Sequence, residues 1–132
     1  MAVTVTPFPE VVAPARTTDA TPVVVSSISF TVADKSNDTF FVEATAVQEN
    51  AANPLAYFIS RIVTMKWTAG VPTFVNSSDG ANGVVKEHGD TNMDCTLILT
   101  GGSNPVKPQV TGVAGTNLNW FVRVTRLTLL SN

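Results

Sequence analysis

Residues 56–68 read AYFISRIVTMKWT, and residues 118–129 read LNWFVRVTRLTL. Ile59, Val63, Met65 and Trp67 share one phase of a two-residue repeat in the first stretch, and Trp120, Val122 and Val124 share one in the second. A period of two belongs to a pleated strand, whose successive side chains point to opposite faces. These positions are expected to face a core, with Asn119, Arg123 and Thr125 on the wet side of an antiparallel sheet. Arg61 shares the phase of Ile59 and Val63, so it is expected either to bury against a carboxylate or to reach the rim with its stem snorkelling over apolar surface. Near Arg126 the apolar phase passes to Leu127 and Leu129, which implies a β-bulge or burial of the strand end against a partner.

Outward from these two stretches, short runs of β-branched and aromatic residues alternate with Gly, Asn, Asp and Pro clusters. Eight strands are expected, at about Val23–Val32, Phe40–Gln48, Ala56–Thr68, Thr73–Asn76, Gly83–His88, Met93–Leu99, Val106–Val113 and Leu118–Leu129. Turns are expected at Ser36-Asn37-Asp38, Asn50 to Pro54, Ala69-Gly70, Ser78-Asp79-Gly80, Gly89-Asp90, Gly101-Gly102 and Ala114-Gly115, where residues tolerant of tight or left-handed backbone cluster. No helical period lasts beyond two turns. The fold class is therefore all-β: an antiparallel β-sandwich, with an eight-stranded jelly roll as the commonest arrangement of that number and an eight-stranded barrel as its rival.

Residues 1–22 form a distinct Pro-rich segment before a β-sandwich domain at 23–132. Pro7, Pro9, Pro14 and Pro22 each remove a backbone donor and hold φ near the extended region, which rules out a helix. Val5, Phe8, Val11 and Val12 make the segment apolar for a solvated tail. Two readings stand: a loosely ordered terminus, or an extended arm whose four apolar side chains lie on a neighbouring subunit. Removal of residues 1–16 is expected, on the second reading, to leave the fold intact and abolish attachment.

The chain has 132 residues, 44% hydrophobic and only 14% charged, with a net charge of -2. That is one domain's length with a core of ordinary size. Eight scattered Lys and Arg residues form no basic stripe, so nucleic acid is not an expected partner. No window approaches the roughly 20 apolar residues that span a bilayer, so no membrane is expected either, and synthesis in a cytoplasm is. Low charge on so apolar a chain suggests that other subunits cover part of its surface. Cys95, the single cysteine, lies in the alternation Met93, Cys95, Leu97, Leu99 and reads as a small core hydrophobe.

Little here suggests catalysis. His88 is the only histidine, and Glu87-His88-Gly89-Asp90 with Asp94 lacks a second imidazole or a thiolate at ligand spacing. It reads as an exposed polar turn. No nucleophile elbow, phosphate loop or His-Glu-x-x-His occurs. No enzyme activity, metal or cofactor is expected. Trp67 and Trp120 are in phase with aliphatic neighbours and should be core residues; Tyr57 is less constrained.

The segments Thr17-Thr18-Asp19-Ala20-Thr21-Pro22, Val42-Glu43-Ala44, Ala56-Tyr57 and Val110-Thr111-Gly112-Val113-Ala114-Gly115-Thr116-Asn117-Leu118-Asn119-Trp120 together resemble a β-rich module of tailed-bacteriophage virion structural proteins. The resemblance spans about residues 17–130. It implies a particle protein without a cofactor, located on the virion surface and carrying no active-site residues. Because the module is nearly the whole chain, the expectation is a capsid decoration or cement protein that binds major capsid protein or other virion subunits on the outside of the head. By analogy it would be a homotrimer. The alternative is a tail fibre or a receptor- or carbohydrate-binding module, with loops 49–55 and 77–82 contacting a glycan.

Overall fold

The computed structural model of the protein describes residues 3–6, 10–32, 34–68, 71–75, 84–89, 92–100 and 105–131, with the backbone alone at 3–6, 68, 84–85 and 131. Among these residues ten strands form: β1 (Val3–Thr6), β2 (Glu10–Thr17), β3 (Val23–Val24), β4 (Ser36–Gln48), β5 (Ala56–Thr68), β6 (Val71–Phe74), β7 (Val84–Gly89), β8 (Asp94–Leu99), β9 (Val106–Thr111) and β10 (Leu118–Ser131). Every pairing is antiparallel. The protein is an all-β antiparallel sandwich of a seven-stranded and a three-stranded sheet.

The large sheet is ordered β1-β10-β4-β5-β6. β2 joins β1 along one side of β10, and β7 joins β6 along the outer side of β5. The small sheet is ordered β3-β9-β8. The eight-stranded jelly roll is not reproduced in strand number or division: β4 turns directly into β5 within the same sheet, and the N-terminal segment adds two strands. That hairpin turns at Asn50, whose φ of 52° is left-handed, and the Gln48 side chain accepts a bond from the Leu55 N–H.

The expected two-residue phase places the core. Phe40, Val42, Ala44 and Ala46 of β4, Ile59, Val63 and Met65 of β5, and Trp120, Val122 and Val124 of β10 are buried together. Cys95, Leu97, Val106 and Val110 face them from the small sheet. Trp120 is buried as expected, and Trp67 is half-buried against the core.

Residues 23–32 do not form one strand. Val25 donates to the Pro108 carbonyl, but Pro108 has no N–H to return, so the β3–β9 ladder stops there. The chain turns at Ser26-Ser27 and rejoins at Phe30, which exchanges both backbone bonds with Val106. Val25, Ile28, Phe30 and Val32 are nevertheless buried, and fill the core from an irregular segment.

Three further expectations are corrected. Residues 10–17 are not separate from the sandwich: β2 pairs residue by residue with β10, from Glu10 opposite Thr125 to Thr17 opposite Leu118. Ala13 and Thr17 are buried, Val11 and Ala15 are half-buried, and Pro14 is tolerated because the strand lies at an edge. The Trp120 indole donates to Thr17 Oγ1 at 3.0 Å and ties the segment down.

Ser36-Asn37-Asp38 is not a turn. The turn lies at Asp34-Lys35, with Lys35 at φ 55°, and Ser36 and Asp38 already point into the sandwich as the first inward residues of β4. β10 is not bulged against β4, with which it stays in register from Leu118 to Leu130. Arg126 keeps the inward phase because Asp38, fully buried, lies 3.5 Å from its Nε, while its guanidinium sits 5.7 Å from the centre of the Phe30 ring. Leu127 and Leu129 therefore point outward.

Arg61 resolves its two readings in favour of burial. It is 2% exposed, reaches across from β5 to β8, donates from Nε to the Cys95 carbonyl at 3.0 Å and pairs with Asp94 at 2.9 Å. It bridges the two sheets and occupies a carbonyl of an edge strand.

Candidate functional site

The outer face of the large sheet is the surface that departs most from a solvated one. Pairing across β2, β10, β4, β5 and β7 aligns Pro14, Phe121, Thr45, Phe58 and His88 in one row. The next row holds Val12, Arg123, Glu43, Ser60 and Lys86. Phe121 is 49% exposed and Val12 47%. Val47, Ile62 and Leu129 add further exposed aliphatic surface on the same face. Such a sheet would ordinarily show polar residues here.

Two shallow depressions flank Phe121, one lined by Glu43, Thr45, Phe58 and Arg123 and the other by Val47, Asn119 and Trp120. Arg123 Nη2 and Nε both donate to Glu43 Oε1, at 2.6 and 3.2 Å. This ion pair stands on β10 and β4, inside the sheet's width, with apolar residues beside it. The His88 ring stacks on Phe58 at 5.1 Å between centres, at the β7 margin of the same row. His88 is exposed as expected, but on a strand instead of in a turn.

Of the four residues singled out from the N-terminal segment, the described ones take different positions. Val5 lies on β1 opposite Leu129, Val11 faces inward against the core, and Val12 joins the outer face. Phe8 lies outside the described residues. Phe121 and Phe58 escaped the sequence reading. The available signal was the run Trp120-Phe121-Val122, apolar on both phases, which marks a strand with something to cover on each side.

Two titratable side chains among the described residues are strongly perturbed by burial. Burial, with the Asp94 carboxylate beside it, pushes the Cys95 thiol up to about 12, so it is protonated and inert at neutral pH. Burial and a 2.5 Å bond to Glu87 hold the Tyr57 phenol well above its ordinary value. Among the described residues no three His, Cys, Asp or Glu side chains converge on a point that could hold a metal ion. No described helix is long and apolar enough to cross a membrane. Loop 49–55 carries no exposed aromatic side chain, and loop 77–82 lies outside the described residues.

No protein-family model matches the chain, and no curated protein matches it. Among solved structures it is similar to the tailspike protein of Acinetobacter phage vB_ApiP_P1, over 95% of this chain and 22% of that one, at 15% identity and a TM-score of 0.32. The chain thus spans about a fifth of that tailspike's length.

Proposed function

We propose that the protein is a non-enzymatic structural component of a bacteriophage particle that works by docking its large sheet on other subunits, most specifically as a capsid decoration or cement protein. The observation that carries this is the outer face, where Phe121 and Val12 are about half exposed in a chain with only 14% charged residues. An apolar sheet face of this breadth marks a contact surface in a folded protein. The residue pattern across 17–130 that resembles phage virion modules supplies the setting. A tail fibre or receptor-binding part remains the second reading, because the same face would serve assembly at either end of the particle.

The test is immunogold labelling of intact particles with antibody against this chain. Label over heads is the expected result. Label confined to tails would move the protein to the fibre reading, and particles free of label would refute a virion role.

A further inference from the structure

We propose that the outer face of the large sheet packs against the same face of a second copy of this chain, about a two-fold axis running parallel to the strands between β10 and β4. This rests on the reading of that face as a contact surface, whatever particle the protein joins.

The face is large enough. Four strand positions overlap about that axis at about 4.8 Å spacing, and strands of about thirteen residues at about 3.4 Å each give a footprint of roughly 19 by 44 Å, on the order of 850 Å². A standard interface needs roughly 800 Å² from each partner.

The charge pattern selects the occupant. Arg123 and Glu43 lie directly opposite one another in register, on neighbouring strands inside the sheet. A half-turn about an axis lying in the contact plane between those strands exchanges left and right. It sets the second copy's Glu43 over Arg123 and its Arg123 over Glu43, closing a ring of four alternating charges. An in-plane axis across the strands would oppose arginine to arginine and carboxylate to carboxylate.

The strand-parallel axis also returns each row onto itself, so that Phe121 meets Thr45 and Phe58 meets Pro14 of the other copy. Strands stay nearly aligned across the contact, as face-packed sheets require. A foreign partner would have to supply this ion pair and apolar row in mirror order; a second copy has them by symmetry. No comparable residue pattern supports the trimer expected from the resemblance.

Sedimentation equilibrium of the full chain provides the test, with circular dichroism to verify that each variant is folded. The wild type should have twice the 13.9 kDa chain mass. Arg123→Glu should weaken the dimer about tenfold or more by opposing like charges. The double exchange R123E/E43R rebuilds the ring with reversed signs and should recover most of that loss. Phe121→Asp should give a folded monomer. A monomeric wild type, an assembly of any other order, a dimer indifferent to Arg123→Glu and Phe121→Asp, or failure of the double exchange to rescue would overturn the proposal. A monomer that still labels particle heads would remove this inference and leave the virion reading standing.

Discussion

Arg61→Met should cost the fold about 1.5–4 kcal/mol, and the size follows from where the Cys95 carbonyl and Asp94 sit. Methionine can retain the packing of the arginine stem but supplies no donor. The Cys95 carbonyl, on a fully buried residue, loses its 3.0 Å bond from Nε and has no water to replace it. Leaving a buried acceptor unsatisfied costs about 1–3 kcal/mol. Asp94 loses its ion pair too, but its side chain is 44% exposed and can rehydrate, so that part adds only about 0.5–1 kcal/mol. In urea the midpoint should fall by about 1–2 M, at the slope usual for a domain of this length. Asp94→Asn keeps an acceptor for the Cys95 N–H and should cost about 1 kcal/mol or less. A loss below about 0.5 kcal/mol for Arg61→Met, or an equal loss for Asp94→Asn, would refute the reasoning, because it would mean that the carbonyl bond contributes nothing.

Removing residues 1–16 should destabilise the sandwich by on the order of 3 kcal/mol, since it uncovers Trp120 and Val122 and strips seven of the eight β2 pairs from β10; an unchanged melting temperature would contradict this. Gly89→Ala should loosen β7, because at φ 98° an added Cβ would run into the Ala56 carbonyl oxygen; faster amide exchange at Lys86 and His88, with β4 unaffected, is the expected signature. Cys95 should resist thiol reagents in the native state and label only at the rate of unfolding. Its raised folded value, and that of Tyr57, mean that both groups favour the folded state fully below their unfolded values. That contribution is lost as pH rises, first above about 8.5 for the thiol and then above about 10 for the phenol, so urea midpoints should fall steadily on the alkaline side.

The strands readable in the sequence were those whose two faces meet different surroundings. In β5, Ile59, Val63 and Met65 alternate with half-wet residues, and in β9 Val106 and Val110 do the same. β2 was hidden because Pro14 argues against a strand wherever both neighbours must be bonded, and nothing local says that this one lies at an edge. The first residues of β4 were hidden by their polarity. Ser36 and Asp38 carry turn chemistry, and only the arrival of Arg126 from the far end of the chain makes an inward Asp38 tolerable. The outer face was illegible for a different reason. Pro14, Thr45, Phe58 and Phe121 are unremarkable singly, and only strand order sets them in a row.

Polar and apolar residues are distributed against the habit of an isolated sandwich, and the inversion bears on both halves of the functional reading. Arg61, Asp38 and Arg126 lie inside, where charges require partners; Phe121, Val12 and Leu129 lie outside, where water should disfavour them. The two inner arginines connect elements that backbone pairing alone does not fix: Arg61 joins the large sheet to the small one, and Arg126 lies over Phe30 in the irregular segment beneath. These contacts hold the large sheet as a firm platform, and its outer residues add almost nothing to that platform's stability. The two sets should therefore separate experimentally. Substitutions at Arg61 or Arg126 should change unfolding and leave assembly proportional to the folded fraction, whereas substitutions at Phe121 or Val12 should change assembly at constant unfolding free energy. Pairs drawn from opposite faces of the sheet share no partners, so their effects should add. Coupling between them would show instead that the sheet deforms when the outer face is covered.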